Sequence, residues 1–197
     1  MSRLYVNDYL VDMHRVFVSN VGRPSSVLYP GCGFDFSPSR VYDDIVFVDS
    51  EQGNTGCISQ LVEKGAKAYK VGISSYCPGQ VFDMLFLQNP GFRTADAAVH
   101  IGEGALILAN DGHKNASEMN AHPESYSFVG SITAGVFSMD HAGLFSPANS
   151  LDELTDLVEQ NVYRALVSFG YYDFEGLCRQ FGPIFRTKAE YYVFRKK

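Results

Sequence analysis

The sequence lacks the cysteine spacings that mark zinc sites and disulfide frameworks. Its four cysteines, Cys32, Cys57, Cys77 and Cys178, lie far apart, without a CxxC pair or a cysteine–histidine ligand pattern. A disulfide scaffold and a metal site are therefore not expected. Reduced thiols are typical of the cytoplasm, and we expect a soluble, cytoplasmic protein.

Long apolar runs and clusters of basic side chains are also missing. No run approaches the roughly 20 residues that a membrane-spanning helix needs, and the N-terminus carries no charged and then apolar leader. The chain has a formal net charge of -6, and its lysines and arginines are scattered, apart from Arg195, Lys196 and Lys197 at the end. Because phosphate binding needs clustered basic residues, we expect neither nucleic acid nor a membrane as a partner. The expected partner is a small-molecule substrate.

Internal repeats, low-complexity tracts and a linker between domains are missing as well. With 46% hydrophobic and 14% aromatic residues, a chain of 197 residues suffices for one well-buried core and is short for two. We therefore expect a single domain over residues 1–197. Within it, residues 1–20 place apolar side chains at three- and four-residue spacings, which predicts an N-terminal helical extension.

Segments typical of buried strands alternate with segments of helical periodicity along the chain. Strands are predicted at Val27–Tyr29, Ile45–Val48, Lys67–Val71, Phe82–Leu87, Gly104–Ala109, Tyr126–Ile132 and Tyr191–Phe194. Helices are predicted at Thr55–Lys64, Thr94–Ile101 and Leu151–Phe169, with a short helix after Ser37 and Pro38. This alternation predicts an α/β fold with a doubly wound, mostly parallel sheet.

The segment Val27–Gly33 joins a buried strand to a glycine turn, and the next strand ends in the carboxylate of Asp49. Glycines at positions 31 and 33 allow a cofactor to approach the backbone closely, and a carboxylate at a strand end can accept the hydroxyls of a ribose. The pattern predicts a nucleotide site. A tight turn followed by a helix-capping aspartate would explain the same residues without a ligand, and this alternative stays open.

From about residue 25 to the C-terminus, the chain resembles the class I S-adenosylmethionine-dependent methyltransferases. The resemblance implies a seven-stranded sheet whose last two strands form a C-terminal antiparallel hairpin. It also implies that Gly31 and Gly33 lie beside the methionine part of S-adenosylmethionine and that Asp49 holds the ribose. We expect Gly31, Asp49 and Asn89 to converge at the carboxyl edge of the sheet.

The glycine loop departs from the pattern of that family in two places. Tyr29 and Pro30 stand where an acidic residue usually precedes the first glycine, and Asp35 stands where a third small residue usually follows. Pro30 also lacks a backbone N–H donor. Asp35 is therefore the candidate for the missing cofactor-binding carboxylate. A methyltransferase-like scaffold that binds without catalysis is a competing interpretation.

The segment Asn89–Phe92 is similar to the Asn-Pro-Pro-aromatic motif of methylases that act on amino groups. The resemblance implies that Asn89 accepts a hydrogen bond from the target amine and that Phe92 stacks on a planar substrate. Asn89 and Phe92 are the candidate catalytic residues, and a small or amine-bearing molecule is the expected acceptor. Gly91 replaces the second proline, and a simple turn at the end of a buried strand is the alternative explanation.

An NAD-dependent oxidoreductase is the main enzymatic alternative, because nicotinamide cofactors use the same arrangement of strand, turn and helix. Its fingerprint needs a third glycine where this chain has Phe36, so the loop favours S-adenosylmethionine. Two aspartates lie close to a histidine in the sequence: Asp111 is close to His113, and Asp140 is adjacent to His141. Surface loops are the expected location of both pairs, since adjacency in sequence does not bring side chains together.

Overall fold

The computed structural model describes residues 3–150, 153 and 174–197 of the chain. The strands in this part are β1 (Val27–Pro30), β2 (Ile45–Asp49), β3 (Lys67–Lys70), β4 (Phe82–Leu87), β5 (Ile101–Ala109), β6 (Tyr126–Thr133), β7 (Val136–Ser138), β8 (Phe145–Pro147), β9 (Phe185–Thr187) and β10 (Tyr191–Lys196). The α-helices are α1 (Asp8–Val21), α2 (Cys57–Glu63), α3 (Thr94–Ala98), α4 (Asn115–Ala121) and α5 (Phe174–Phe181). Two short 3-10 helices lie at Ser37–Arg40 and Ile73–Ser75.

The central sheet has the strand order β3-β2-β1-β4-β5-β10-β6-β7. Strands β1 to β5 pair in parallel, and β10 lies antiparallel between β5 and β6. The chain moves outward from β1 to β3 and then returns to the other side of β1, so the strand order reverses between β1 and β4. The predicted doubly wound, mostly parallel sheet with an antiparallel pair of late strands is confirmed. In the described part of the chain, β7 adds an eighth strand beside β6.

Both faces of the sheet are covered by helices, which explains the continuous apolar runs in β1, β2 and β4. One face packs against α1 and α2, whose contacts include Phe17 and Leu61. The other face packs against α3 and α4, whose contacts include Ala97 and Met119. Asp83, near the start of β4, is the exposed residue in that strand. The buried strands form a rigid platform for the loops at their carboxyl ends.

The N-terminal extension is helical, as predicted, and it also braces the glycine loop. Helix α1 begins after Asn7, whose side-chain oxygen accepts a hydrogen bond from Tyr9 N at 3.0 Å. Ahead of the helix, Tyr5 N donates to Phe34 O at 3.0 Å and Phe36 N donates to Tyr5 O at 2.9 Å. The backbone just after the glycine turn is therefore fixed by residues that precede α1.

The boundary between α3 and β5 differs from the prediction. The helix ends at Ala98 rather than Ile101, and β5 begins at Ile101, before the predicted start at Gly104. The register between β4 and β5 shifts between Phe82 and Met84, and Gly104 has a φ of 80°. Because the start of β5 is bulged and rich in glycine, its residues lack the periodic pattern that predicts a strand. The helix predicted at Leu151–Phe169 lies outside the described residues.

No helix in the described part of the chain is long and apolar enough to cross a bilayer.

Candidate functional site

The glycine turn after β1, the end of β2 and the turn after β4 meet at the carboxyl edge of the sheet. Gly31 N donates to Val48 O at 2.7 Å, and Gly33 N donates to the Asp49 carboxylate at 2.9 Å. A Cβ atom on Gly31 would lie 2.9 Å from the Cα and O atoms of Pro90, and Gly31 has a φ of 67°. Only glycine fits this left-handed, closely approached position. The predicted convergence is therefore present in the fold.

Asp49 holds its carboxylate in one orientation with a backbone donor on each oxygen. Oδ2 accepts from Gly33 N at 2.9 Å, and Oδ1 accepts from Glu51 N at 2.5 Å. The residue is 6% exposed, at the rim of the turn. Because each carboxylate oxygen has two acceptor positions, both oxygens can still accept a hydroxyl. The two backbone bonds therefore hold the carboxylate in place and leave each oxygen one further acceptor position.

Glu51 is a second acidic residue in this region that sequence reasoning missed. Its carboxylate accepts from Ile58 N at 3.0 Å and pairs with Lys70 Nζ at 2.8 Å. The hydrogen bond from Lys70, together with that from the Ile58 backbone, lowers the pKa of the Glu51 carboxyl. Glu51 fixes the first turn of α2 and its own φ is 59°. An acidic residue just past a strand end and ahead of a helix was the available signal.

Asp35 is a core carboxylate in the structure. It accepts from Tyr29 Oη at 3.0 Å, from Ser37 N at 2.9 Å and from Ser37 Oγ at 2.5 Å, and it is 1% exposed. Burial raises the pKa of this carboxyl, and its hydrogen bonds act in the opposite direction. Asp35 therefore ties β1 to the short 3-10 helix after the glycine turn. This packing does not favour its predicted contact with a cofactor, which stays a prediction.

Asn89 forms a reciprocal pair with Asn110, in the loop after β5. Asn89 N donates to Asn110 Oδ1 at 3.1 Å, and Asn110 Nδ2 donates to Asn89 Oδ1 at 2.9 Å. A Cβ atom on Gly112 would lie 1.8 Å from Asn89 Oδ1, so the amide packs directly on that glycine. The side chain is directed toward the β5 loop, and Pro90 is the residue that meets Gly31. The amide oxygen keeps one acceptor position, and the catalytic role of Asn89 stays a prediction.

Phe92 closes the same turn and is half-buried. Its ring packs against the core on the face of α3 and α4, and its carbonyl oxygen accepts from Asn115 Nδ2 at 3.0 Å. Its predicted stacking role stays a prediction.

Asp111 and His113 are buried, so their predicted location in a surface loop is wrong. They are 8% and 9% exposed. Asp111 accepts from Ser117 N at 2.7 Å and from Lys114 Nζ at 3.1 Å, which secures the first turn of α4. His113 Nδ1 accepts from Gly91 N at 2.8 Å. The reason is tertiary: β4 and β5 are neighbours, so the loop after β5 folds onto the turn after β4.

The second acidic and imidazole pair behaves as predicted. Asp140 and His141 are both exposed, and the His141 ring lies 3.0 Å from the side-chain oxygen of Asn120. Neither residue lies on the strands that carry the glycine turn or Asp49. In the described ranges, residues 3–150, 153 and 174–197, no group of three or more His, Cys, Asp and Glu side chains is placed to hold a metal ion.

Neither a family model nor a curated protein matches the chain, whereas solved structures do. An O-methyltransferase from the trans-AT PKS multienzyme of Brevibacillus brevis, in complex with S-adenosyl-L-homocysteine, is 13% identical, with a TM-score of 0.49 over 96% of this chain and 73% of that one. An N-methyltransferase from Bradyrhizobium japonicum, in complex with the same molecule, is 12% identical, with a TM-score of 0.45 over 74% and 81%. A sugar N-methyltransferase from Streptoalloteichus sp. is 16% identical, with a TM-score of 0.41 over 52% and 46%. The chain thus spans less than half the length of the sugar N-methyltransferase.

The strand order decides the architecture independently of these low identities. The parallel set β3-β2-β1-β4-β5 is followed by antiparallel strands, which agrees with the mostly parallel sheet and late antiparallel hairpin that the family resemblance implied. The fold is that of the class I methyltransferases. On this methyltransferase-like fold, the donors and acceptors at the end of β1 and β2 fit an adenosine-containing cofactor. Asp49 offers paired carboxylate oxygens, and the lack of a Cβ at Gly31 and Gly33 lets Pro90 and Asn54 approach the glycine turn closely.

Proposed function

We propose that the protein binds S-adenosylmethionine and transfers its methyl group to a small or amine-bearing acceptor. The observation that carries the proposal is the hydrogen bond from Gly33 N to the Asp49 carboxylate, which joins the ends of β1 and β2 beside the reversal of strand order between β1 and β4. This bond joins the glycine turn to the acidic end of β2 and holds the carboxylate at the rim. Ligands of open α/β sheets bind at this point, outside the carboxyl ends of the strands.

The proposed roles follow from where each residue lies. Asp49 accepts the two ribose hydroxyls, and Gly31 and Gly33 leave room for the methionine part. The bound sulfonium supplies the leaving group for methyl transfer. The chain therefore needs mainly to align an acceptor and to exclude water, which the turn from Asn89 to Phe92 is placed to do. Phe92 offers the exposed part of its ring to a planar acceptor, and the free acceptor position on Asn89 suits an amine.

Nicotinamide chemistry is less compatible with the loop. A pyrophosphate is normally held by the first turn of an α-helix that follows the glycine turn. Here the glycine turn is followed by a four-residue 3-10 helix at Ser37–Arg40, and its N-cap position is Phe36, which makes no side-chain capping bond. The described segment that follows the glycine turn, residues 36–40, therefore offers no aligned row of α-helix N–H donors to a pyrophosphate.

A methyltransferase-like protein that binds without catalysis is the second candidate. The observation that favours it is that both Asp49 oxygens already accept backbone donors while Asp35 is used within the core. Such a protein would keep the sheet and its turns for a binding role. Loss of cofactor binding would separate it from the enzyme.

A binding panel tests the proposed function. We expect S-adenosylhomocysteine to raise the unfolding temperature, because a ligand at about 100 times its dissociation constant stabilises a protein by about 2.7 kcal/mol. NAD and ATP at the same concentrations should leave it unchanged. Calorimetry then measures the dissociation constant. Absence of heat at millimolar S-adenosylhomocysteine would support the non-catalytic candidate, and stabilisation by NAD alone would support an oxidoreductase.

The role of Asn89 is tested separately from cofactor binding. Because Asn89 has a φ of 48°, Asn89→Gly removes the side chain without straining the backbone. We expect methyl transfer from labelled S-adenosylmethionine to a panel of small amines to fall, with S-adenosylhomocysteine affinity changed less than about twofold. Asn110→Ala is the matched control, since it removes the partner and keeps Asn89. Equal loss of cofactor affinity in Asn89→Gly and Asp49→Ala would make Asn89 a turn residue only.

A further inference from the structure

The turn Asn89–Gly91 is held in an unfavourable backbone conformation by the loop after β5. Asn89 has a φ of 48° and Gly91 a φ of 76°, so two of its three residues are left-handed. A left-handed backbone at a non-glycine residue persists only where its surroundings hold it. Here Asn110 Oδ1 accepts a hydrogen bond from Asn89 N, and Asn110 Nδ2 donates one to Asn89 Oδ1. His113 Nδ1 accepts the Gly91 N–H at 2.8 Å.

The bond to Gly91 defines the protonation state of His113. A ring nitrogen accepts a hydrogen bond only when it carries no proton, so His113 is the neutral imidazole with its proton on Nε2. Burial lowers the pKa of His113, and a hydrogen bond with the Asn89 backbone acts in the opposite direction. A proton added to this ring would be placed on Nδ1, where it would point at the Gly91 N–H and break the bond.

The charged side chains around His113 in these loops and in α4 are already paired. Asp111 pairs with Lys114 at 3.1 Å, and Arg93 pairs with Glu118 at 3.1 Å. Three of the four are almost fully buried, and Arg93 is 36% exposed. Asp111 and Glu118 are thus each paired with a cationic side chain of their own. It is burial of the ring that favours the neutral form of His113, because its effect on the pKa outweighs that of the Asn89 bond.

The turn Asn89–Gly91 connects the hydrogen bond at His113 to the glycine loop. Pro90 stands between Asn89 and Gly91, and its Cα and O atoms approach Gly31 so closely that a Cβ there would lie at 2.9 Å. Gly31 therefore packs closely against the turn and cannot move toward Pro90 unless the turn also moves. His113, Gly91, Pro90 and Gly31 thus form a continuous path from the β5 loop to the proposed cofactor site.

We propose that His113 is a positioning residue of the cofactor site, whose Nδ1 holds the turn Asn89–Gly91 against the glycine loop and releases it on protonation. The expected consequence is that cofactor affinity depends on the neutral form of His113, and this consequence rests on the proposed function. The structural step, the hydrogen bond from Gly91 N to His113 Nδ1, does not rest on it. His113 contacts neither reacting atoms nor substrate in this role.

Two substitutions at the same position separate the acceptor from the titration. His113→Asn keeps an acceptor near the position of Nδ1 and cannot gain a proton, whereas His113→Leu removes the acceptor. The exposed His122, which pairs with Glu124, provides the control His122→Asn. The first measurement is calorimetric affinity for S-adenosylhomocysteine from pH 8 to pH 5.5. The second is hydrogen exchange of the Gly91 amide by NMR in the protein without ligand.

At pH 7.5 we expect His113→Leu to weaken S-adenosylhomocysteine binding about 3- to 10-fold and His113→Asn by less than about twofold, as for loss or retention of one hydrogen bond. Below pH 6.5 the affinity of the wild-type protein should fall, while that of His113→Asn stays level. The Gly91 amide should exchange about tenfold faster in His113→Leu than in the wild-type protein at pH 7.5.

The two measurements keep the failure of the inference apart from that of the proposed function. If the wild-type protein binds no S-adenosylhomocysteine at any pH, the proposed function fails, and the exchange of Gly91 alone decides the role of His113. Equal Gly91 exchange in the wild-type protein and His113→Leu would overturn the inference. So would an acid loss of affinity that persists unchanged in His113→Asn.

Discussion

Asp49→Ala is expected to weaken S-adenosylhomocysteine binding by about 10- to 150-fold. This range corresponds to about 1.5 to 3 kcal/mol, the usual contribution of hydrogen bonds to a charged acceptor. The physical reason is the fixed orientation of the carboxylate, whose oxygens accept from Gly33 N at 2.9 Å and Glu51 N at 2.5 Å. Calorimetry at constant pH and salt gives the affinity.

A neighbouring carboxylate provides the matched control for Asp49. Glu51→Ala removes an acidic group from the same loop, but that group bonds Ile58 and Lys70 instead of facing the proposed ribose position. We expect Glu51→Ala to lower the unfolding temperature with an affinity loss of less than about threefold. Equal losses of affinity in both variants would mean that Asp49 acts only by shaping the loop.

Acidification below pH 6.5 is expected to destabilise the protein through His14. This residue of α1 is 0% exposed, and its Nδ1 lies 3.0 Å from Tyr42 Oη. Its Nε2 has no hydrogen-bond partner among the described residues. Its ring packs edge-on against that of Phe86, with 4.4 Å between the two ring centroids. Burial lowers the pKa of His14 from 6.5 to about 3. The charged form is therefore strongly disfavoured in the native state.

The sign of the effect follows from the two pKa values. The unfolded chain binds a proton at His14 near pH 6.5, and the native protein does so only near pH 3. The contribution of His14 to the free energy of unfolding is therefore fully present above pH 6.5. It decreases as the pH falls from 6.5 to about 3, by up to about 1.4 kcal/mol per pH unit. From pH 6.5 to pH 5 the expected loss from this group is about 2 kcal/mol.

His14→Phe tests this assignment, because phenylalanine fills the site with an aromatic ring that cannot gain a proton. Urea unfolding at pH 7.5 and pH 5 should give a smaller acid loss for this variant than for the wild-type protein. Burial raises the pKa of Asp35, which acts in the opposite direction, but this contribution is common to both proteins and cancels in their difference. An acid loss that is the same in both would assign the effect to other groups.

Much of the platform was predictable from local sequence patterns. Strands β1, β2 and β4 are nearly continuous apolar runs, as expected for strands covered on both faces, with Asp49 at the end of β2 and Asp83 near the start of β4 as exceptions. The helical spacing before Gly65 likewise predicted α2 within a few residues. Because parallel crossovers bring the carboxyl ends of strands to one edge, the meeting of Gly31 with the segment after β4 followed from the order of elements.

The contacts that organise the site depended on residues distant in sequence. Asp35 is buried because Tyr29 and Ser37 supply donors that no motif specifies, and its predicted contact with a cofactor stays a prediction. Helix α4 went unpredicted, since several of its buried positions, including Asn115 and Glu118, are polar and give no apolar stripe. Their burial is possible because Thr94 and Arg93, at the start of α3, provide hydrogen-bond partners for them.

Taken by itself, the sequence determined the type of sheet, the position of the glycine turn and the acidic end of β2. These are consequences of backbone freedom at glycine and of hydrophobic periodicity, both of which act over a few neighbouring residues. Only the tertiary structure decided that His113 is buried against Gly91 and that Asn89 faces the β5 loop. Hydrogen bonds between loops depend on which strands are neighbours in the sheet, and that pairing is a property of the whole fold.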